Sequence, residues 1–253
     1  MGNPYYYIGQ GPVYLAERDA NGFPQKLEDM GEVPQVEINV KVDYVDNFES
    51  RSGRRRQDLH VPVKTTVEAM MTVKEATLKN LARFMGGTVV SNGGGNVADL
   101  AFPTGIVAGD ELLLPDLAAN VSALVIKDSA GAPLTLTSGT HYTADLKFGR
   151  VKFLQTPGTQ PYKASYTVPA RQYVSFASDL GKEYFVHHEG INTARGDERN
   201  RVQLYRVVPE PATKIALKGD DVATYEIKLV PLDDPTKPEG GDLGKFGNWE
   251  IIS

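Results

Sequence analysis

A chain of 253 residues, 41% hydrophobic and 23% charged, has the composition of a globular protein and can form one large domain or two ordinary ones. It contains no cysteine, which excludes a disulfide framework and any thiolate metal site. A net charge of −5 argues against a surface that grips nucleic acid everywhere, but not against one past which nucleic acid slides.

The opening MGNPYYYIGQGP lacks the basic flank and apolar run of a secretory signal. No stretch approaches the roughly 20 apolar residues of a membrane-spanning helix, so the expectation is a protein kept in the cytoplasm until lysis or assembly. Residues 1–32 read as an extended arm and a first strand around Ile8, Val13, Tyr14 and Leu15, with a turn at Asn21-Gly22. The Tyr5-Tyr6-Tyr7 run is read as a buried anchor or subunit contact in preference to a base-stacking platform.

The most ordered pattern follows. From Val36 to Tyr44 apolar residues alternate with Glu37, Asn39, Lys41 and Asp43, and Val61 to Val73 repeats the pattern. A period of two marks strands with one buried face, and both runs exceed the usual five or six residues. Between them, VDNFESRSGRRRQDLH looks too long and too charged for a tight hairpin. Asp46 and Glu49 precede Arg51, Arg54, Arg55 and Arg56, so the segment reads either as a solvated loop or as a docking loop for acidic groups on a neighbouring copy. Thr72 with Glu75 then suggests a capping box, Leu78, Leu81, Ala82 and Met85 a short helix packed on the sheet, and Gly86-Gly87 its end.

Gly93-Gly94-Gly95 marks an insertion boundary; without a following GK[ST] it is not a phosphate loop. From Phe102 to Pro169 short runs at even spacing predict a small β-sandwich. Longer runs return at Tyr173–Phe176, Tyr184–His188, Val202–Val208 and Tyr225–Val230, with a polar loop expected over Gly190–Arg199. The organisation predicted is a discontinuous β domain, 1–98 with 170–235, an inserted β domain, 99–169, and a C-terminal tail, 236–253, whose Trp249, Ile251 and Ile252 call for a docking site. The fold class expected is all-β with one short packing helix: a β-sandwich or half-barrel bearing a sandwich-like insert.

Signals for chemistry are weak. His187 and His188 are adjacent, hence on opposite strand faces, and His60 and His141 lack ligand spacing. There is no GxSxG elbow, and Asp220-Asp221 and Asp233-Asp234 fit turn chemistry. Neither catalytic, metal-binding nor cofactor-binding residues are expected.

Several stretches nevertheless form a pattern: Ile8 to Leu15, Gly31 to Pro34 leading into the alternating strand, Asn47 to Gly53, and Lys74 to Ala82. With Gly139–Phe153, Glu189–Asn192 and Arg201–Val207, they resemble the major tail tube proteins of long-tailed, non-contractile bacteriophages. The resemblance implies a non-enzymatic virion protein, assembled in the host cytoplasm into stacked hexameric rings that form the conduit for DNA ejection. Its partners would be copies of itself, the tape-measure protein, and tail-terminator and distal tail proteins, with passing double-stranded DNA and no membrane.

By the same resemblance Glu37, Asp43 and Glu68 would face the lumen, where acidic groups repel phosphates. Arg51, Arg54, Arg55 and Arg56, with Glu49, would contact the next ring, and the insert would face outward. Three alternatives remain at this stage. One is a surface-binding β module recognising carbohydrate or a host receptor through Tyr142, Tyr162 and Tyr166; the others are a β-rich hydrolase and a tube from a contractile tail.

Overall fold

The computed structural model describes residues 5–212 and 214–252. The protein is all-β with one short α-helix, and it divides into two compact units, Met1–Val89 with Val174–Ser253, and Val90–Tyr173.

The first unit is built on a nine-stranded antiparallel sheet. From one edge to the other run Glu28–Asp29, Val13–Glu17, Tyr184–Asn192, Glu198–Glu210, Tyr225–Pro231, Gln57–Val73 and Gln35–Phe48. Gly9–Gln10 pairs with Tyr184–Asn192, and Gly247–Ile252 pairs with Glu198–Glu210. Val13 and Leu15, near one edge, share a buried cluster with Ala69 and Met71, near the other, so the sheet curls into an open half-barrel around its core. Burial of Val13, Leu15 and Met71, each contributing on the order of 1.5–3 kcal/mol, holds the curl.

Helix Leu78–Phe84 lies against that core through Phe84, which is fully buried and stacked on Tyr225 at 5.2 Å. Its cap is Thr77, whose hydroxyl accepts the Asn80 amide, and not Thr72. Thr72 belongs to the strand because Gln57–Val73 pairs with Tyr225–Leu229 through Val73, so tertiary pairing overrides the capping-box pattern. Glu75 instead accepts the Glu32 amide. Leu78, expected on the packed stripe, is 38% exposed.

The C-terminal segment is fastened to the sheet at both ends rather than forming a tail. Buried Asp234 meets the Arg18 guanidinium at 2.9 Å, Arg18 reaches Glu183 at 3.2 Å, and Arg206 completes the group on Glu183 at 2.5 Å. Beyond it, Tyr205 donates its amide to Phe246 and its hydroxyl to Leu243, and Gly247–Ile252 enters the sheet. The N-terminal residues arrive at the same place. Tyr5 hydrogen-bonds Glu198, Ile252 pairs with Arg199, and Tyr7 packs edge-on against Trp249 at 5.2 Å. The polar loop expected over 190–199 shrinks to a single turn at Thr193–Arg195 with left-handed Gly196, because both flanking strands run on.

Strands Thr88–Asn92 and Arg171–Ser175 pair where the chain passes between units. The second unit holds a four-stranded and a three-stranded sheet. Its core packs Phe153 on Tyr162 at 5.3 Å with Phe102 edge-on at 5.5 Å, over Ile126, Leu114 and Val151. Gly94 has φ +75, and a Cβ there would sit 2.4 Å from the Val168 carbonyl, so this turn requires glycine.

A candidate self-association surface

The strands Gln35–Phe48 and Gln57–Val73 form one hairpin with 14 paired positions. The charged link is therefore shorter than expected: strand pairing consumes half of it, and 49–56 remains as the tip. Strand Tyr225–Pro231 supports the hairpin through Ala69–Val73 alone. Beyond that, Gln57–Glu68 has no neighbour on its second side among the described residues, nor has Gln35–Phe48 on its outer side. The result is a two-stranded arm of about ten residues past the sheet, or roughly 33 Å.

Near its root the arm has two distinct faces, as cross-strand partners share a side. Val36 lies opposite Met71, Ile38 opposite Ala69 and Val40 opposite Val67, and this apolar face continues the core. Glu37, Asn39, Lys41 and Asp43 lie on the other face with Met70, Glu68, Thr66 and Lys64. The three acidic residues predicted for a lumen are thus on one side. Two of them have cationic partners: Asp43 meets Lys41 at 3.4 Å, and Glu68 meets Lys228 at 3.1 Å, which also reaches Glu210 at 3.4 Å. Glu37 has no ion-pair partner among the described residues and accepts a hydrogen bond from Gln35 at 2.7 Å.

A register shift then reverses the arrangement. Asp43 pairs with Lys64 but Tyr44 pairs with Pro62, which leaves Val63 as an extra residue. Past this bulge the pairs Val45–Val61 and Asn47–Leu59 lie on the face that is polar near the root. Tyr44, Asp46, His60 and Pro62 occupy the other, where Tyr44 stacks on His60 at 4.1 Å and His60 Nδ1 meets Asp46 at 2.5 Å. Val61 therefore does not share a face with Val67, contrary to the simple alternation. Val40, Tyr44, Val45, Phe48, Leu59, Val61 and Val63 are between 42% and 64% exposed.

At the tip, Glu49 accepts the amides of Arg51 at 3.0 Å and Ser52 at 3.1 Å, and the Ser52 hydroxyl. The Ser52 hydroxyl, above all, holds the Glu49 carboxyl below its usual range. Glu49 thus organises the loop itself. Arg51, Arg54, Arg55 and Arg56 are exposed, and among the described residues none has a carboxylate within 4.0 Å. Arg55 holds φ +48, a left-handed conformation in a tight turn.

At the open side of the half-barrel lies a groove of about 490 Å³ bordered by Tyr7, Val36, Ile38, His188, Val202 and Trp249. Its lining comes from segments near both termini, the arm's root and the strands that carry His188 and Val202, which no local sequence pattern brings together. Trp249 is 60% exposed there.

Other candidates carry little chemistry. Among the described residues no cluster of three metal-ligating side chains occurs, and no helix is long and apolar enough to cross a membrane. His188 Nδ1 lies 3.1 Å from the Pro12 carbonyl, and His187 Nε2 lies 3.4 Å from Glu189. Asp233 pairs with Lys245 and Asp234 with Arg18, which accounts for one acidic pair structurally. Tyr142, Tyr162 and Tyr166, through which the alternative surface-binding module would recognise a ligand, are 4%, 0% and 3% exposed. Their rings fill the insert's core, so they do not form a recognition surface.

The architecture thus defines an all-β protein with one short helix and a projecting two-stranded arm. Residues 6–250 match the model of a family described as "Protein of unknown function UCP028589", and the chain belongs to that family. No curated protein matches the chain.

Proposed function

We propose that this protein is a structural subunit that completes its sheet with copies of itself, forming stacked hexameric rings of a bacteriophage tail tube through which DNA passes. One observation carries the reading: the arm leaves both strand edges open and its apolar side chains in water. Long open edges invite pairing, and closing them in a ring removes the hazard. The polar face bearing Glu37, Asp43 and Glu68 suits a wet lumen, although partnered lysines make it only mildly acidic. The four tip arginines, without ion pairs among the described residues, are suited to acidic groups on the next ring.

Negative-stain electron microscopy of the concentrated protein tests this reading. Hollow rings or rods about one subunit thick are expected, and a solution of isolated monomers at high concentration would refute it. Reversing Arg51, Arg54, Arg55 and Arg56 to glutamate is expected to leave the fold intact and shorten the rods to rings.

A further inference from the structure

The bulge at Val63 creates a difficulty for any simple wall. If the root of the arm turns its polar face to a lumen, Val45, Leu59 and Val61 lie on that same side farther out. Three exposed aliphatic side chains beside a cationic tip need cover that their own molecule does not provide.

The same molecule offers the matching cavity, but out of reach. The groove at the half-barrel's open side is lined by Val36, Ile38, Val202 and Trp249, with about 490 Å³ of space, enough for several aliphatic side chains. Ile38 borders this groove and belongs to the arm's root, whereas Val45 lies seven residues farther along a hydrogen-bonded ribbon, roughly 23 Å away. A straight ribbon does not return its outer half to its own base. It can place that half in the base of another copy.

We propose that the groove receives the outer arm of a second copy, with Val45, Leu59 and Val61 seated against Val202 and Trp249. The inference rests on the self-assembly reading and names the surfaces that join. The exposed apolar side chains of the arm alone present an area on the order of several hundred Å², comparable with the roughly 800 Å² that one partner gives to a stable interface. Charge favours the same pairing. Glu37 flanks the groove from the polar face of the arm's root and has no ion-pair partner among the described residues, nor have the arginines of the tip, so insertion carries unpaired cations of one copy past the edge that bears an unpaired carboxylate of the next. The contact joins two different surfaces, so it propagates from copy to copy and closes only as a ring.

The absence of cysteine makes the test direct, as introduced thiols have no competitors. Val61→Cys and Val202→Cys variants are purified separately, mixed and oxidised. Disulfide-linked dimers are expected at about tenfold the yield of either variant alone, because docking raises the local thiol concentration. A chain carrying both changes is expected to give a ladder of covalent oligomers. Failure of the mixed pair to link, or an internal link in the double variant at high dilution, overturns the inference. Micrographs of the unmodified protein separate the two proposals. Hollow rods without the mixed link sink the arm-in-groove contact alone; the link without hollow assemblies sinks the tube reading alone; absence of both sinks both.

Discussion

The inserted unit and the arm are both made of antiparallel strands, yet they treat their apolar residues in opposite ways. In the insert, Phe153, Tyr162, Ile126 and Leu114 are at most 1% exposed, and Tyr162 donates its hydroxyl to the Pro157 carbonyl at 3.1 Å. In the arm, Val40 and Val63 are 64% and 59% exposed, and whole strand edges lack partners among the described residues. The insert buries its apolar residues in its own core, whereas the arm leaves its apolar residues and strand edges uncovered by the described residues. Difference in burial, not in strand propensity, is what separates the valines of the insert's core from those of the arm.

Three substitutions probe that contrast. The largest effect is expected from Phe153→Ala, which opens a cavity beneath Tyr162 and Phe102 and should cost about 3–5 kcal/mol in urea unfolding of the insert. A loss under about 1 kcal/mol would mean the insert's core is looser than its packing indicates.

Next comes Asp234→Asn, which leaves buried Arg18 without its closest carboxylate and should cost about 3 kcal/mol. Burial pushes the Asp234 carboxyl up, but hydrogen bonds from Thr236 and the charge of Arg18 outweigh it and hold it below its usual range. The Arg206 hydrogen bond does the same for Glu183, against burial. Both groups bind protons less readily folded than unfolded. Their contribution is therefore complete above an ordinary carboxylate pKa, about 4, and is lost as pH falls through the lower folded values. Thermal melts from pH 6 downward should show this acid loss in the wild type and a smaller one in Asp234→Asn.

The smallest effect on the monomer is expected for Val61→Asp, within about 0.5 kcal/mol, as the side chain already meets water. Sedimentation should nevertheless show lost assembly. A large drop in monomer stability would instead make Val61 part of its own fold.

Much of this architecture was legible in the residues, and the exceptions have physical causes. Alternation identified both arm strands, since a half-buried sheet imposes a period of two. It did not reveal the bulge, because Val61 and Val63 are both β-branched and no glycine marks the extra residue; only the partner strand defines register. The helix was placed correctly by its apolar spacing and Gly86-Gly87, but its start moved from Thr72 to Thr77 because the strand was extended by Tyr225 and Ile227. Tyrosines of the insert misled because a phenol suits a core as well as a surface when its hydroxyl finds a carbonyl, as Tyr166 does at Pro115. The groove was not legible at all, being assembled from Tyr7, Ile38, His188 and Trp249 across most of the chain.

The meeting of both ends on neighbouring residues of one strand, Tyr5 at Glu198 and Ile252 at Arg199, has a practical side. A bulky group attached at Tyr5 or Ile252 would stand close to Tyr7 and Trp249, at the rim of the groove. An affinity handle there would act as a steric cork.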